Sequence, residues 1–156
     1  TLDASGNAAA GDQSTENKTA EPSTLDELFG GENLSVTYTG AEIAANYMEG
    51  GYYSLDAEQG KTFVIVGIDI TNSGADEIAI DNFAKTPKFS VMVNGQEKAE
   101  EENTILPSDF ALYQETVPAG VTENTILLFQ VPDSVTSVDS LDLFVNISGT
   151  NYQITL

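Results

Sequence analysis

The chain has 156 residues, a length that fits one domain, with 25 acidic and five basic side chains and a formal net charge of −20. It has no cysteine, histidine or tryptophan, and all its basic residues are lysines, which excludes a cysteine nucleophile, a histidine base, a zinc site of Cys and His ligands and a bidentate arginine clamp. The charge repels nucleic acids and anionic lipid headgroups, so we expect neither as a partner of the folded part.

The N-terminal part of the chain is polar. Residues 1–23 hold a single large aliphatic side chain, Leu2, and this composition predicts a disordered linker or tether. Because the sequence starts without a methionine or a signal peptide, we expect its numbering to begin after a removed leader. Residues 24–31 predict a short helix, with Thr24 as cap, Glu27 three residues later and glycines at the end.

The first half of the folded part alternates between apolar and polar side chains. Residues 34–39 predict a half-buried strand, residues 46–51 a turn, and residues 52–54 a short edge strand. Residues 61–72 are apolar on both faces at their start and alternate at their end, which predicts a central strand that runs out toward solvent. Residues 77–80 are expected to pair with it across the turn at residues 72–74.

The middle of the chain contains a hairpin signal and an acidic run. Residues 88–93 alternate and lead into Asn94-Gly95, which predicts a tight turn. The run 97–102 contains four carboxylates and is interpreted as an exposed acidic loop. Residues 107–114 fit either a cap with one helical turn or an extended segment.

Three strands are predicted at the C-terminal end. Residues 126–131 are apolar on both faces and stop at Pro132, which cannot donate to a ladder, and residues 141–147 form a hairpin with residues 151–156. The domain at residues 32–156 is therefore predicted to be all-β, an antiparallel sandwich of about seven to nine strands preceded by the short helix. A barrel is the alternative.

Four motifs carry a resemblance to a known family. Gly60 to Val66, Asp69 to Gly74, Pro118-Ala119-Gly120 and Leu128 to Asp133 follow one another in an order that resembles the immunoprotective extracellular immunoglobulin-like superfamily of bacterial secreted antigens and lipoproteins. The resemblance implies an immunoglobulin-like fold on the outer face of a Gram-positive-type membrane, often held by a lipidated cysteine. Such an anchor would lie upstream of Thr1. The family supplies no catalytic residues.

A calcium site is one hypothesis. Oxygen-bearing side chains, the ligands that Ca²⁺ prefers, gather around the end of the predicted central strand: Asp69, Asn72, Asp76, Glu77 and Asp81. Their spacing is not that of the twelve-residue calcium loop. The alternative interpretation is that they end the strand and satisfy turn backbone groups. Glycoside hydrolysis by neighbouring carboxylates is disfavoured, because adjacent strand residues point to opposite faces.

An interaction surface is the other hypothesis. Tyrosine offers a large, rigid contact area with a polar tip, and the candidates are Tyr47, Tyr52, Tyr53 and Tyr113. Since Tyr52 and Tyr53 are consecutive, one is expected in the core and the other at the surface. The alternative is that both cover an edge of the sheet. The sequence thus favours a non-enzymatic extracellular binding module for an unknown protein or cell-surface partner. The alternative is a calcium-binding adhesion or stability module.

Overall fold

The computed structural model describes residues 20–156. It places twelve strands, one α-helix and two 3₁₀ turns in this range: β1 (Glu21–Ser23), α1 (Leu25–Phe29), β2 (Leu34–Ala44), β3 (Asn46–Glu49), β4 (Tyr53–Asp56), β5 (Lys61–Asn72), β6 (Ile78–Ala79), a 3₁₀ turn (Phe83–Lys85), β7 (Lys88–Val93), β8 (Glu97–Glu100), a 3₁₀ turn (Phe110–Leu112), β9 (Thr116–Val117), β10 (Thr122–Pro132), β11 (Leu141–Ile147) and β12 (Thr150–Ile154). No helix in this range is long and apolar enough to cross a bilayer.

Two sheets face each other. One has the order β10-β5-β2 and the other the order β1-β12-β11-β7-β8, while β3-β4 and β6-β9 form separate two-stranded ladders. Every pair is antiparallel except β1 with β12. The predicted all-β sandwich is confirmed. The strand count exceeds the expected number because several strands are only two to four residues long.

The position of the central strand β5 in the fold explains its sequence pattern. Its inward side chains pack between the sheets, and they are Val64, Val66, Ile68 and Ile70. On the outer face, Phe63 and Ile65 are buried in a second, smaller cluster under the β3-β4 hairpin. Beyond that hairpin the outer face carries Asp69 and Thr71 and is partly open. The strand is therefore apolar on both faces only where the hairpin covers it.

The predicted short helix is present as α1. The Thr24 hydroxyl accepts from the Glu27 amide at 3.1 Å, and the Glu27 carboxylate accepts from the Thr24 amide at 3.1 Å, which is a capping box. The Phe29 ring lies 4.9 Å from that of Phe110 and 5.8 Å from that of Phe89, centroid to centroid. The helix thus closes one end of the core.

The N-terminal prediction is only partly covered by the structure. Residues 1–19 of the predicted linker lie outside the described residues. Its last part, Glu21–Ser23, forms β1 and pairs in parallel with Tyr152–Ile154 of β12. This strand extends a sheet edge that would otherwise expose unpaired backbone groups, which is why a polar segment without apolar pattern becomes ordered there.

Two local predictions were wrong. The segment 46–51 is a strand up to Glu49, where Asn46–Glu49 pairs with Tyr53–Asp56, and only its end is a turn. The pair Ile78–Ala79 joins Thr116–Val117 instead of β5. The reason is the buried side chain of Asn72, whose Nδ2 donates to the carbonyls of Asp76 and Val117 and directs the chain away from β5.

The acidic run 97–102 is not an exposed loop, which corrects that interpretation. Glu97–Glu100 is β8, paired with β7. The Glu101 amide then donates to the Phe89 carbonyl at 3.0 Å, and the Glu102 amide to the Leu128 carbonyl at 2.8 Å. Because Phe89 and Leu128 belong to different sheets, residues 101–102 cross from one sheet to the other.

Candidate functional site

Three large apolar side chains are exposed on the β3-β4 hairpin and on the loop that packs against it. Tyr52 is 91% exposed, Ile105 85% and Met48 66%. Met48 and Tyr52 belong to the β3-β4 hairpin and its turn, and Ile105 to the loop between β8 and the second 3₁₀ turn. We call these three residues the hairpin end. Exposed apolar side chains that form a contiguous patch on a soluble protein typically mark a contact site.

The hairpin end is held together by packing on its inner side. Tyr47, Tyr53 and Leu55 face inward and pack on a cluster that includes Leu106, the neighbour of Ile105. The Ser108 hydroxyl also donates to the Glu49 carboxylate, which ties the loop to the hairpin. These contacts hold the loop that carries Ile105 against the hairpin.

The predicted tyrosines separate into two places. Tyr47, Tyr52 and Tyr53 share the hairpin: Tyr52 is exposed, Tyr53 is half-buried in the small cluster, and the Tyr47 hydroxyl donates to Glu49 at 3.0 Å. Tyr113 is only 6% exposed and lies in the wall of a recess beside β10. Interaction through these residues stays a prediction.

Met48 and Ile105 were not predicted as contact residues from the sequence. A signal for Ile105 was available, because it is a large aliphatic residue preceded by Glu101-Glu102-Asn103-Thr104 and followed by Leu106-Pro107. Two consecutive aliphatic residues in an extended loop must point in different directions, and here Leu106 is buried while Ile105 is exposed.

The predicted calcium ligands are not gathered into a site. Asn72 is buried and uses its side chain on backbone groups: Nδ2 donates to two carbonyls, and Oδ1 accepts from the Gly74 amide at 2.9 Å. Asp69 accepts from Asn124 at 2.7 Å, and Asp81 accepts from the Ala84 amide at 3.0 Å.

The other two predicted ligands, Asp76 and Glu77, are exposed. Across residues 20–156 no group of three or more His, Cys, Asp or Glu side chains is placed to hold a metal ion. The geometry thus favours turn and cap roles for Asn72 and Asp81, and calcium binding stays a prediction.

A buried pair of carboxyl groups lies where the chain crosses between the sheets. Glu101 hydrogen-bonds through its side chain to that of Asp109, which is itself buried. The Asp109 carboxylate also accepts from the Thr104 hydroxyl at 2.6 Å and from the Ala111 amide at 3.0 Å, and so caps the 3₁₀ turn. Burial and the neighbouring Asp109 raise the pKa of Glu101 to about 10.

The chemistry of this pair follows from the raised pKa. At neutral pH Glu101 is protonated and can donate a hydrogen bond to Asp109. The second carboxyl oxygen, Glu101 Oε2, is buried and receives no hydrogen bond from any of the described residues. The sequence held one signal for this burial: Glu101 follows the half-buried Ala99 by two residues and therefore shares its inward face.

The chain is similar in fold to uncharacterised bacterial β-sandwich proteins. No family model and no curated protein matches it. A crystal structure of an uncharacterised β-sandwich protein from Clostridium difficile 630 matches with 18% identity and a TM-score of 0.50, over 92% of this chain and 98% of that one. At this identity the likeness concerns the fold alone.

Two structures from Bacillus subtilis also match. The YjhA protein has 15% identity and a TM-score of 0.43, over 80% of this chain and 92% of that one. YcdA, named as a candidate lipoprotein, has 11% identity and a TM-score of 0.42, over 89% of this chain and 39% of that one.

Proposed function

We propose that this protein is a non-enzymatic binding module of immunoglobulin-like type, displayed on the outside of a bacterial cell by a lipid anchor upstream of Thr1. The hairpin end contacts the partner, which is a protein. The observation that carries this proposal is the exposure of Tyr52 and Met48 on the β3-β4 hairpin and of Ile105 on the loop whose Leu106 packs in the apolar cluster under that hairpin.

The hairpin end has the physical properties of a contact site. Tyrosine and methionine are enriched at protein interfaces, where a tyrosine ring loses apolar surface to the partner while its hydroxyl finds a polar group. The inner side of the hairpin is fixed by the packing of Tyr47, Tyr53 and Leu55. Less conformational entropy is then lost on binding than with a flexible loop.

The charge of the chain restricts the partner. With a formal charge of −20, the module attracts proteins whose surface is basic around an apolar pocket. The hairpin itself carries two acidic residues, Glu49 and Asp56. We expect association to slow as salt is raised, because steering by charge is screened.

The amino-acid composition supports a binding module without catalytic activity. The whole chain lacks histidine, cysteine and arginine, which provide most general bases, nucleophiles and anion clamps. The motif resemblance to secreted immunoglobulin-like antigens and lipoproteins supports the location outside the cell.

Site-specific crosslinking on the living cell tests the hairpin end. A photo-reactive phenylalanine derivative is placed at position 52, and the matched control carries it at Gln96, an exposed residue in the turn of the β7-β8 hairpin. We expect one discrete adduct from position 52, absent from position 96. The substitutions Met48→Ser and Ile105→Ser should each reduce its yield several-fold, because they remove apolar contact area.

Two results would contradict the proposal. The same adducts from both positions would mean that position 52 has no special contact, and an adduct yield unchanged by Met48→Ser and Ile105→Ser would remove the role of the apolar surface.

The alternative, a calcium-dependent module, is tested by thermal unfolding. A melting temperature that rises with millimolar calcium and falls with chelator would favour this alternative.

A further inference from the structure

Within residues 20–156 the five-stranded and three-stranded sheets have four edges, and three of these edges are protected. An edge strand has unpaired backbone groups, which proteins usually cover, shorten or flank with charges. β1 has three residues including Pro22, and β8 has four residues of which three are charged. β10 is covered by the segment 101–109, which hydrogen-bonds to the backbone of Ile126 and Leu128.

The fourth edge is β2, and it has little protection. This strand has eleven residues and one charged side chain, Glu42. Its pairing register with β5 shifts between Tyr38 and Gly40, and such a bulge bends an edge without covering it. A long edge with few charges is a template on which another extended chain can pair.

The hydrogen bonds of β2 show which of its backbone groups point outward. The Val36 amide donates to the Asp26 carboxylate at 2.6 Å, so it is turned away from β5. By alternation the backbone groups of Tyr38 also point away from β5, and the register beyond the bulge gives the same direction for Ala41 and Ile43. In the described part of the chain these last three residues have no backbone hydrogen bond on that side.

A recess of about 210 Å³ lies beside this edge, between β2, α1 and the residues that follow β12. Its apolar lining consists of Leu25, Val36, Tyr38 and Leu156. Leu25 and Val36 are buried, whereas Leu156 is 45% exposed, so the recess is open toward solvent. Its volume is below the range of about 300–1,000 Å³ that is typical of pockets for drug-sized ligands, and it suits a single large side chain.

These features fit an extended polypeptide. A strand added along β2 would exchange hydrogen bonds with the outward backbone groups, and its alternate side chains would face the recess. A second copy of this chain is disfavoured as the added strand, because two chains with a formal charge of −20 repel each other. The same charge attracts a basic segment.

We propose that the edge of β2 binds an extended, basic segment of a partner protein as an additional strand, with one apolar side chain of that segment in the recess. This surface goes beyond the proposed function, since none of Met48, Tyr52 and Ile105 lines the recess. A partner can contact the hairpin end whether or not β2 is paired.

Backbone-methylated peptides test the pairing. The probe is acetyl-Lys-Val-Thr-Val-Lys-Leu-Thr-Val-Lys-amide, which is basic and alternates between apolar and polar residues. One variant is N-methylated at its valine and leucine residues, and the other at the threonine and lysine residues between them. Because the amides of alternate residues point to opposite sides of a strand, only one variant loses the hydrogen bonds to β2. We expect that variant to bind the full chain at least about tenfold more weakly than the probe, and the other within about threefold.

Amide hydrogen exchange measured by NMR locates the bound peptide. The amides of Tyr38, Ala41 and Ile43 should exchange at least about tenfold more slowly when the unmethylated probe saturates the protein. Leu156→Ser should weaken binding about threefold, because the recess loses apolar surface. The matched control is Leu112→Ser, since Leu112 is 39% exposed and does not line the recess. It should leave binding unchanged.

Three results would overturn the proposal. The two methylated peptides could bind equally well, or the probe at millimolar concentration could leave the exchange of the three amides unchanged. These amides could also be protected in a dimer of the free protein, which sedimentation equilibrium would detect, and the edge would then belong to a second copy of this chain.

Discussion

Glu101 is protonated in the folded protein at neutral pH and ionised in the unfolded chain. Its pKa of about 10 in the fold compares with an ordinary value of 4.5. Unfolding therefore releases a proton between these values, and the free energy of unfolding decreases as pH rises through this window. The contribution of the pair is fully present below about pH 4.5 and is lost as pH approaches about 10.

The substitution Glu101→Gln should remove this pH dependence. A glutamine amide donates to Asp109 at every pH, so we expect the variant to unfold at higher urea concentration than the unmodified protein at about pH 9, with a smaller difference at about pH 5. The slope attributable to Glu101 is at most about 1.4 kcal/mol per pH unit. Urea unfolding followed at several pH values measures it.

Glu100 provides the control for this experiment. It precedes Glu101 in the sequence but is exposed, so Glu100→Gln makes the same chemical replacement without touching the pair. We expect its pH profile to parallel that of the unmodified protein. Equal pH profiles for Glu101→Gln and Glu100→Gln would contradict the assignment of a buried proton to Glu101.

Side chains differ in how far the sequence predicts their environment. The split between Tyr52 and Tyr53 could be predicted, because consecutive residues in extended chain point to opposite sides. The burial of Glu101 had only one signal in the sequence, its two-residue spacing from Ala99, because it also depends on the contact with Asp109 and on a crossing between sheets. The raised pKa of Glu101 is thus a tertiary property of two residues that are separate in sequence.

Gly30 decides how α1 joins β2. A Cβ at Gly30 would lie 2.8 Å from the backbone oxygens of Asp26 and Leu34, whereas a Cβ at Gly31 would meet nothing within 4 Å. We expect Gly30→Ala to lower the free energy of unfolding by about 1–3 kcal/mol, because backbone atoms must shift to make room. Gly31→Ala should be close to neutral. The urea midpoint of both variants measures the difference.

A loss of the same size in both variants would indicate a general effect of replacing glycine on the unfolded chain. Equal stability of Gly30→Ala and the unmodified protein would show that α1 can move without cost. Either result would contradict the close approach of the helix end to β2.

Elements with strong local signals were predictable, and short pairings were not. The capping box of α1, the Asn94-Gly95 hairpin and the two-part pattern of β5 each have a local physical cause. Strands such as β6 and β9 are two residues long, and their pairing depends on the buried hydrogen bonds of Asn72. A segment of two residues is too short to show the alternation of apolar and polar side chains that predicts a strand.

The molecule as a whole carries much more negative than positive charge. With 25 acidic and five basic residues, repulsion favours the more expanded unfolded chain. We expect the melting temperature to rise when ionic strength increases from about 0.02 M to about 0.5 M, because the screening length shortens. Differential scanning calorimetry in sodium chloride and in sodium sulfate at equal ionic strength measures this.

Agreement between the two salts would identify screening as the cause. A rise in sulfate alone would instead reflect exclusion of that ion from the protein surface, as for any compact protein. A melting temperature that falls with sodium chloride would mean that attractive charge pairs outweigh repulsion in this fold.

The sandwich class was predictable because alternating strands need a second layer to cover one apolar face. The proposed binding surface was not fully predictable, since the loop that carries Ile105 meets the hairpin that carries Met48 only through the packing of Leu106 in the cluster under the hairpin. Tyr113 was singled out as a tyrosine, but its position in a recess between Glu115 and Glu123 depends on the tertiary fold.

The separate cluster under the β3-β4 hairpin also divides the sequence into regions with different freedom to diverge. Residues on the outward side of the hairpin, such as Met48 and Ser54, do not contribute to the layer between the two sheets. Mutations there can alter recognition while the scaffold keeps its folding stability. Related modules could therefore acquire new partners by exchanging the outer residues of this one hairpin.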